Sequence, residues 1–134
     1  MKRIFFAACL IILLLLTGCG QGDVVTITAE PDSYSPSMSS VRGITMTPNF
    51  ITDNSYENIV YHWKTSVGEF IGVGKEAINQ GEPVTWSAVE NGEAVNTDEP
   101  IIINLAVVDS DSEIILAYNA LTIILENGYY KVEK

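Results

Sequence analysis

The chain has 134 residues, 7 Lys+Arg against 17 Asp+Glu, and a formal net charge of −10. Such an acidic balance excludes a nucleic-acid partner, whose phosphates need a basic footprint. Two cysteines, Cys9 and Cys19, both in the first twenty residues, exclude a disulfide-braced or thiol-ligated core further along, so a domain there must hold by packing.

The chain opens Met1-Lys2-Arg3 and continues with an unbroken apolar run of thirteen residues, Ile4 to Leu16. A spanning helix needs about 20 apolar residues to cross about 30 Å of hydrocarbon, so this run is short for a membrane anchor. A cationic start, a short apolar stretch and small residues at the cut are the marks of a cleaved secretory signal. Leu16-Thr17-Gly18-Cys19 resembles the bacterial lipobox. That resemblance implies a signal peptide over 1–18, cleavage ahead of Cys19, and lipidation of Cys19 with diacylglyceryl and palmitate-type chains. The expected location is the cell membrane, lipid-anchored, on its extracytoplasmic face. One acyl chain binds membranes marginally, and two or more give a stable hold. Residues 19–23 then read as the lipidated cysteine and a short tether reaching on the order of 15 Å.

Residues 24–134 read as one β-domain. Val24–Ala29 is a first strand, Pro31 to Ser40 a Ser- and Pro-rich loop or edge, and Val41–Met46 a second strand ended by Pro48. In Asn58–Thr65, period-2 alternation puts Ile59, Tyr61 and Trp63 on one face, and His62 with Val60 and Lys64 on the other. Phe70–Val73 is short. Pro83–Val89 has Val84, Trp86 and Ala88 in phase. Ile101–Val108 and Ile114–Leu125 are long and apolar, joined through Asp109 to Glu113, and Asn127-Gly128 leads into Tyr129–Val132 as a tight hairpin. Seven or eight strands in a domain of this size predict an all-β, two-sheet sandwich.

Tyr61-x-Trp63, Gly68, Trp86 and an apolar strand closing in Val108-Asp109 resemble immunoglobulin-like or PKD-like sandwich domains. More locally, Tyr61 to Thr65 with Asn79-Gln80-Gly81-Glu82 is similar to extracellular segments of membrane antirepressor proteins of the β-lactam-sensor type. The first resemblance implies an immunoglobulin-like scaffold, and the second implies envelope signalling.

The chain carries no visible reaction machinery. His62 is the only histidine and has no Gly-x-Ser-x-Gly elbow to serve. Gly72-Val73-Gly74-Lys75 lacks the earlier glycine and the following Ser/Thr of a phosphate loop. Asp109, Asp111 and Glu113 alternate in a turn and are calcium candidates, although the central glycine and distal Glu of a calcium loop are missing and a solvated turn is the simpler reading. Trp63 and Trp86 could both stack on a sugar, but their in-phase apolar neighbours make them core residues first, and Trp86 is kept as a binding candidate. Gly68–Glu82, read as a surface loop, offers Lys75 and Glu76 as binding candidates. The expectation is a membrane-tethered binding or sensing module without catalysis or cofactor, partnered by an envelope protein or surface ligand. The alternatives are a structural or assembly subunit of an envelope complex and, less favoured, a carbohydrate-active enzyme.

Overall fold

The computed structural model describes residues 22–133. Signal cleavage and lipidation of Cys19 fall outside these residues. The described chain is all-β, a sandwich of two antiparallel sheets about one shared core. The four-stranded sheet runs β1 (Val24–Glu30), β3 (Ile44–Ile51), β7 (Val84–Ser87), β5 (Glu69–Phe70). The six-stranded sheet runs β2 (Ser33–Tyr34), β12 (Tyr129–Val132), β11 (Ile114–Glu126), β10 (Ile101–Asp109), β4 (Ile59–Thr65), β6 (Glu76–Asn79). A separate hairpin joins β8 (Val89–Glu90) to β9 (Glu93–Ala94).

Alternation decides the core. Ile101, Ile103, Leu105 and Val107 on β10 are completely buried, while the residues between them face outward or half-outward. Trp63, Trp86, Phe70, Tyr34, Ile44, Met46 and Ile123 complete this core without a disulfide. Two aromatic groups fill it: Tyr34, Trp86 and Tyr130 in mutual contact, and Trp63 edge-on to Phe70 with ring centroids 6.2 Å apart. Tyr34 also ties the sheets, because its hydroxyl on β2 accepts the Ala88 N–H, at 2.6 Å, just beyond β7. Asn127 and Gly128 both take positive φ, 54° and 83°, as a tight hairpin turn requires.

Several expectations need correction. There are twelve strands among the described residues rather than seven or eight, and three of the four extra elements, β2, β8 and β9, are two-residue strands that no periodicity can reveal. The second strand begins at Ile44 rather than Val41, and it runs through Pro48 to Ile51. β7 pairs with β3 only from Ile44 to Met46, so from Thr47 onward β3 has one open side that accommodates a residue lacking an N–H. Phe70–Val73 shrinks to Glu69–Phe70 followed by a turn. Gly68–Glu82 is not a plain loop: it holds β5 and β6 and contributes buried Phe70 and Ala77 to the core. Asp23 does not belong to a free tether, since its carboxylate accepts hydrogen bonds from Thr52, Asn54 and Tyr56 (2.6 Å for Tyr56). Those three donors, Thr52 first, hold the Asp23 carboxyl below the usual carboxylate range.

Candidate functional site

The side of the sandwich between β6 and β7 is open. β5 runs beside β7 only through Glu69 and Phe70, with one more bond from the Ile71 N–H to the Thr85 carbonyl (2.8 Å). Beyond that point no strand follows β7, and β6 is the last strand of its own sheet. An open groove of about 870 Å³ lies there. Ala77, Ile78 and Asn79 of β6 form part of one wall, and Pro83, Val84 and Thr85 part of another. Phe70 is buried at its base, whereas Val41, Val73 and Ile78 expose their side chains. A second groove of about 510 Å³ shares Val41, Arg42 and Ile71 with the first.

Arg42 stands at the junction of the two grooves. It is exposed, and among the described residues it forms no hydrogen bond or ion pair. Glu30 lines the same groove without closing a salt bridge to it. The next residue, Gly43, leaves no room for a side chain: a Cβ there would sit 2.1 Å from the Trp86 carbonyl oxygen. The chain therefore enters β3 pressed against β7, and Arg42 is delivered to the rim of the groove just before the strand starts. A guanidinium keeps its charge at any physiological pH and presents a planar fork suited to carboxylate or phosphate.

Sequence-derived candidates fall into different places. Lys75 is engaged: its Nζ reaches Glu90 Oε2 at 2.6 Å and the Ser66 carbonyl at 3.3 Å. Glu90 also accepts the Gly68 N–H at 2.8 Å, and Lys75 first, then Gly68, hold its carboxyl below the usual range. Lys75 thus fastens the β8–β9 hairpin to the Gly68 turn. Glu76 is exposed on the outer face of β6, opposite Lys64 in register. Trp86 offers no ring face to a ligand, because its exposure is 0 % and its Nε1 donates to Thr65 Oγ1 (3.1 Å) and the Val67 carbonyl (2.8 Å). This corrects its reading as a sugar platform.

Asp109, Asp111 and Glu113 build the β10–β11 turn. Asp109 Oδ1 accepts the Asp111 N–H at 3.0 Å, both Asp111 oxygens accept from Asn58 Nδ2, and the Glu113 N–H closes on the Asp109 carbonyl at 2.7 Å. Among the described residues no group of three or more His, Cys, Asp and Glu is arranged to hold a metal ion. His62 points outward from β4, as alternation predicts.

Sequence reasoning missed Arg42. The usable signal was its isolation, since it is the only arginine after Arg3 in a strongly acidic chain, and it is followed by a glycine. Comparison with known proteins finds no matching family model, no matching curated protein and no matching solved structure.

Proposed function

We propose that the chain is a lipid-anchored, extracytoplasmic binding module of the cell envelope, with no reaction of its own, and that it binds through the groove around Arg42. The observation that carries this reading is an unpaired arginine set among exposed apolar side chains on an otherwise acidic protein. Concave, mostly apolar surfaces with one well-placed charged group are the general form of a recognition site. The Leu16-Thr17-Gly18-Cys19 sequence supports the anchor, with Cys19 carrying the lipid. The immunoglobulin-like kinship belongs to the same proposal, as a rigid scaffold that presents variable edges.

A photo-crosslinking residue at Val73, an exposed part of the groove, tests the binding role in intact cells. A crosslinked envelope protein that disappears with Arg42→Glu is the expected result. No adduct from Val73 would overturn the groove reading. Labelling cells with an alkyne palmitate analogue tests the anchor, with label expected on the wild type and lost in Cys19→Ala. Label that persists in the variant would overturn it.

A second reading, an assembly subunit, is favoured by an adjoining surface, the outer face of the six-stranded sheet, which shares Ile78 with the groove. Ile78, Tyr118 and Ile115 are among the most exposed apolar side chains, at 63, 60 and 60 %. The register sets Ile78, His62, Ala106 and Tyr118 in one row across the outer face of the six-stranded sheet, with Val60, Val108 and Ile115 in the next. Crosslinks from Tyr118 without any from Val73 would favour this reading over the first.

A further inference from the structure

The groove borders the free edge of β6, the last strand of its sheet. Thr65 N–H bonds the Lys75 carbonyl at 3.0 Å, and the β4–β6 register continues from that pair. Antiparallel alternation therefore turns the backbone groups of Ala77 and Asn79 toward β4 and those of Glu76 and Ile78 away from it. An outward-facing edge of this kind is a template for another strand. Natural edges are often blunted by a proline, a bulge or a covering loop. Pro83 stands immediately before β7, but β6 has neither a proline nor a bulge.

We propose that the groove takes an extended peptide segment of a partner protein, which adds to the free edge of β6 as a seventh strand and places a carboxylate side chain on Arg42. This deepens the binding reading above and rests on it. Main-chain bonds to Glu76 and Ile78 hold the segment, and side chains at alternate positions meet Ile71, Val73 and Ile78. Charge selects the occupant. The domain is acidic, so it repels most acidic surfaces at long range, yet the one cation at this groove has no carboxylate of its own. A segment of alternating apolar residues with a single Asp or Glu satisfies Arg42 at little repulsive cost. A polyacidic one does not.

The test uses the full chain, as purified from cells, to select from a phage-displayed library of random heptapeptides. The expected survivors carry apolar residues at alternate positions and one acidic residue. Arg42→Gln should weaken their binding about tenfold or more, as loss of a charge-assisted pair does. Arg42→Glu should shift the selected charge from acidic to basic. Amide exchange at Glu76 and Ile78 should slow when a selected peptide is bound, while exchange at the β8–β9 hairpin stays as it was. Both variants alter an exposed side chain, and an unchanged melting curve establishes that each is folded. No enrichment, enrichment indifferent to Arg42, or binding without protection of β6 would each overturn the proposal. If cells yield a Val73 crosslink but the library yields nothing, the strand-addition inference fails and the binding reading stands. If peptides are selected but cells yield no crosslink, the chemistry stands and the cellular role falls.

Discussion

The two lateral sides of the sandwich are finished differently. On the β1–β11 side, Asn119 faces inward from β11 and its Nδ2 donates to the Val25 carbonyl at 2.8 Å, bridging the two sheets. Within the six-stranded sheet, the Val132 N–H bonds the Asp32 carbonyl and the Glu133 N–H bonds the Thr122 carbonyl, each at 2.8 Å, extending the ladders of β12 with β2 and β11. On the β6–β7 side the corresponding closure stops after Phe70, and the groove opens below it. The β1–β11 side is bridged by that side-chain bond, although an open groove of about 600 Å³ lies along it too, with Glu30, Asp32 and Glu133 among its lining residues. The β6–β7 side differs in leaving exposed apolar side chains and the unpaired Arg42 at its groove, which is the physical difference between a bridged seam and a binding surface.

The largest expected effect tests whether the open side is part of the core. Phe70 is 1 % exposed and packs on Trp63, so Phe70→Ala should cost about 3–5 kcal/mol in denaturant unfolding. A loss under about 1 kcal/mol would mean that β5 is a dispensable loop. On the bridged side, Asn119→Ala removes the side-chain donor to the Val25 carbonyl and should cost about 1–3 kcal/mol. Hydrogen exchange along β1 should then accelerate, and normal protection there would deny the seam its role.

The two tryptophans sharpen the contrast further. Trp63 and Trp86 are both buried, but Trp63 Nε1 has no hydrogen-bond partner, whereas Trp86 Nε1 has two. Replacing each with Phe makes a similar void, so Trp86→Phe should be the more destabilising by about 1–2 kcal/mol, the difference being the bonds lost and the acceptors stranded. Equal losses in parallel urea titrations would contradict it.

A smaller effect concerns pH. The Glu90 carboxyl is depressed in the folded state by Lys75 and the Gly68 N–H. Its contribution is therefore present above the unfolded value of roughly 4.3 and is lost as pH falls through the lower folded value. The pair is exposed, so the effect is small. Melting curves from pH 7 to pH 3 should fall slightly more steeply for wild type than for Glu90→Gln, and parallel curves would remove Glu90 as a contributor. The smallest expected change in stability is at the proposed site itself: Arg42→Glu should stay within about 0.5 kcal/mol of wild type while binding is lost. A large loss of stability would make Arg42 a structural residue.

Legibility followed burial. β4 was readable because Ile59, Tyr61 and Trp63 alternate cleanly, and the last hairpin because Asn127-Gly128 specifies its turn. The same turn chemistry at Asn91-Gly92, with φ of 54° and 83°, marks the β8–β9 hairpin, which went unread because its strands are short and partly exposed. β6 was hidden in a glycine-bounded stretch, since four residues with one buried alanine give almost no periodic signal. Lys75 and Glu76 were sensible candidates by chemistry, yet one is held by Glu90 and the other lies on an outer sheet face.

Composition and alternation by themselves determined the all-β class, the in-phase burial of Trp63 and Trp86, and a core that holds without disulfides. Those properties are local or statistical, because side-chain period and turn chemistry are written in neighbouring residues. Only the tertiary structure decided where the sandwich is left open, that Lys75 is already paired, and that Arg42 is not. Each of these depends on which strand stops short beside which other strand. Gly43 against Trp86 and Asn119 against Val25 are contacts between residues 43 and 94 positions apart. No window along the chain contains such pairs, so the site emerges from packing.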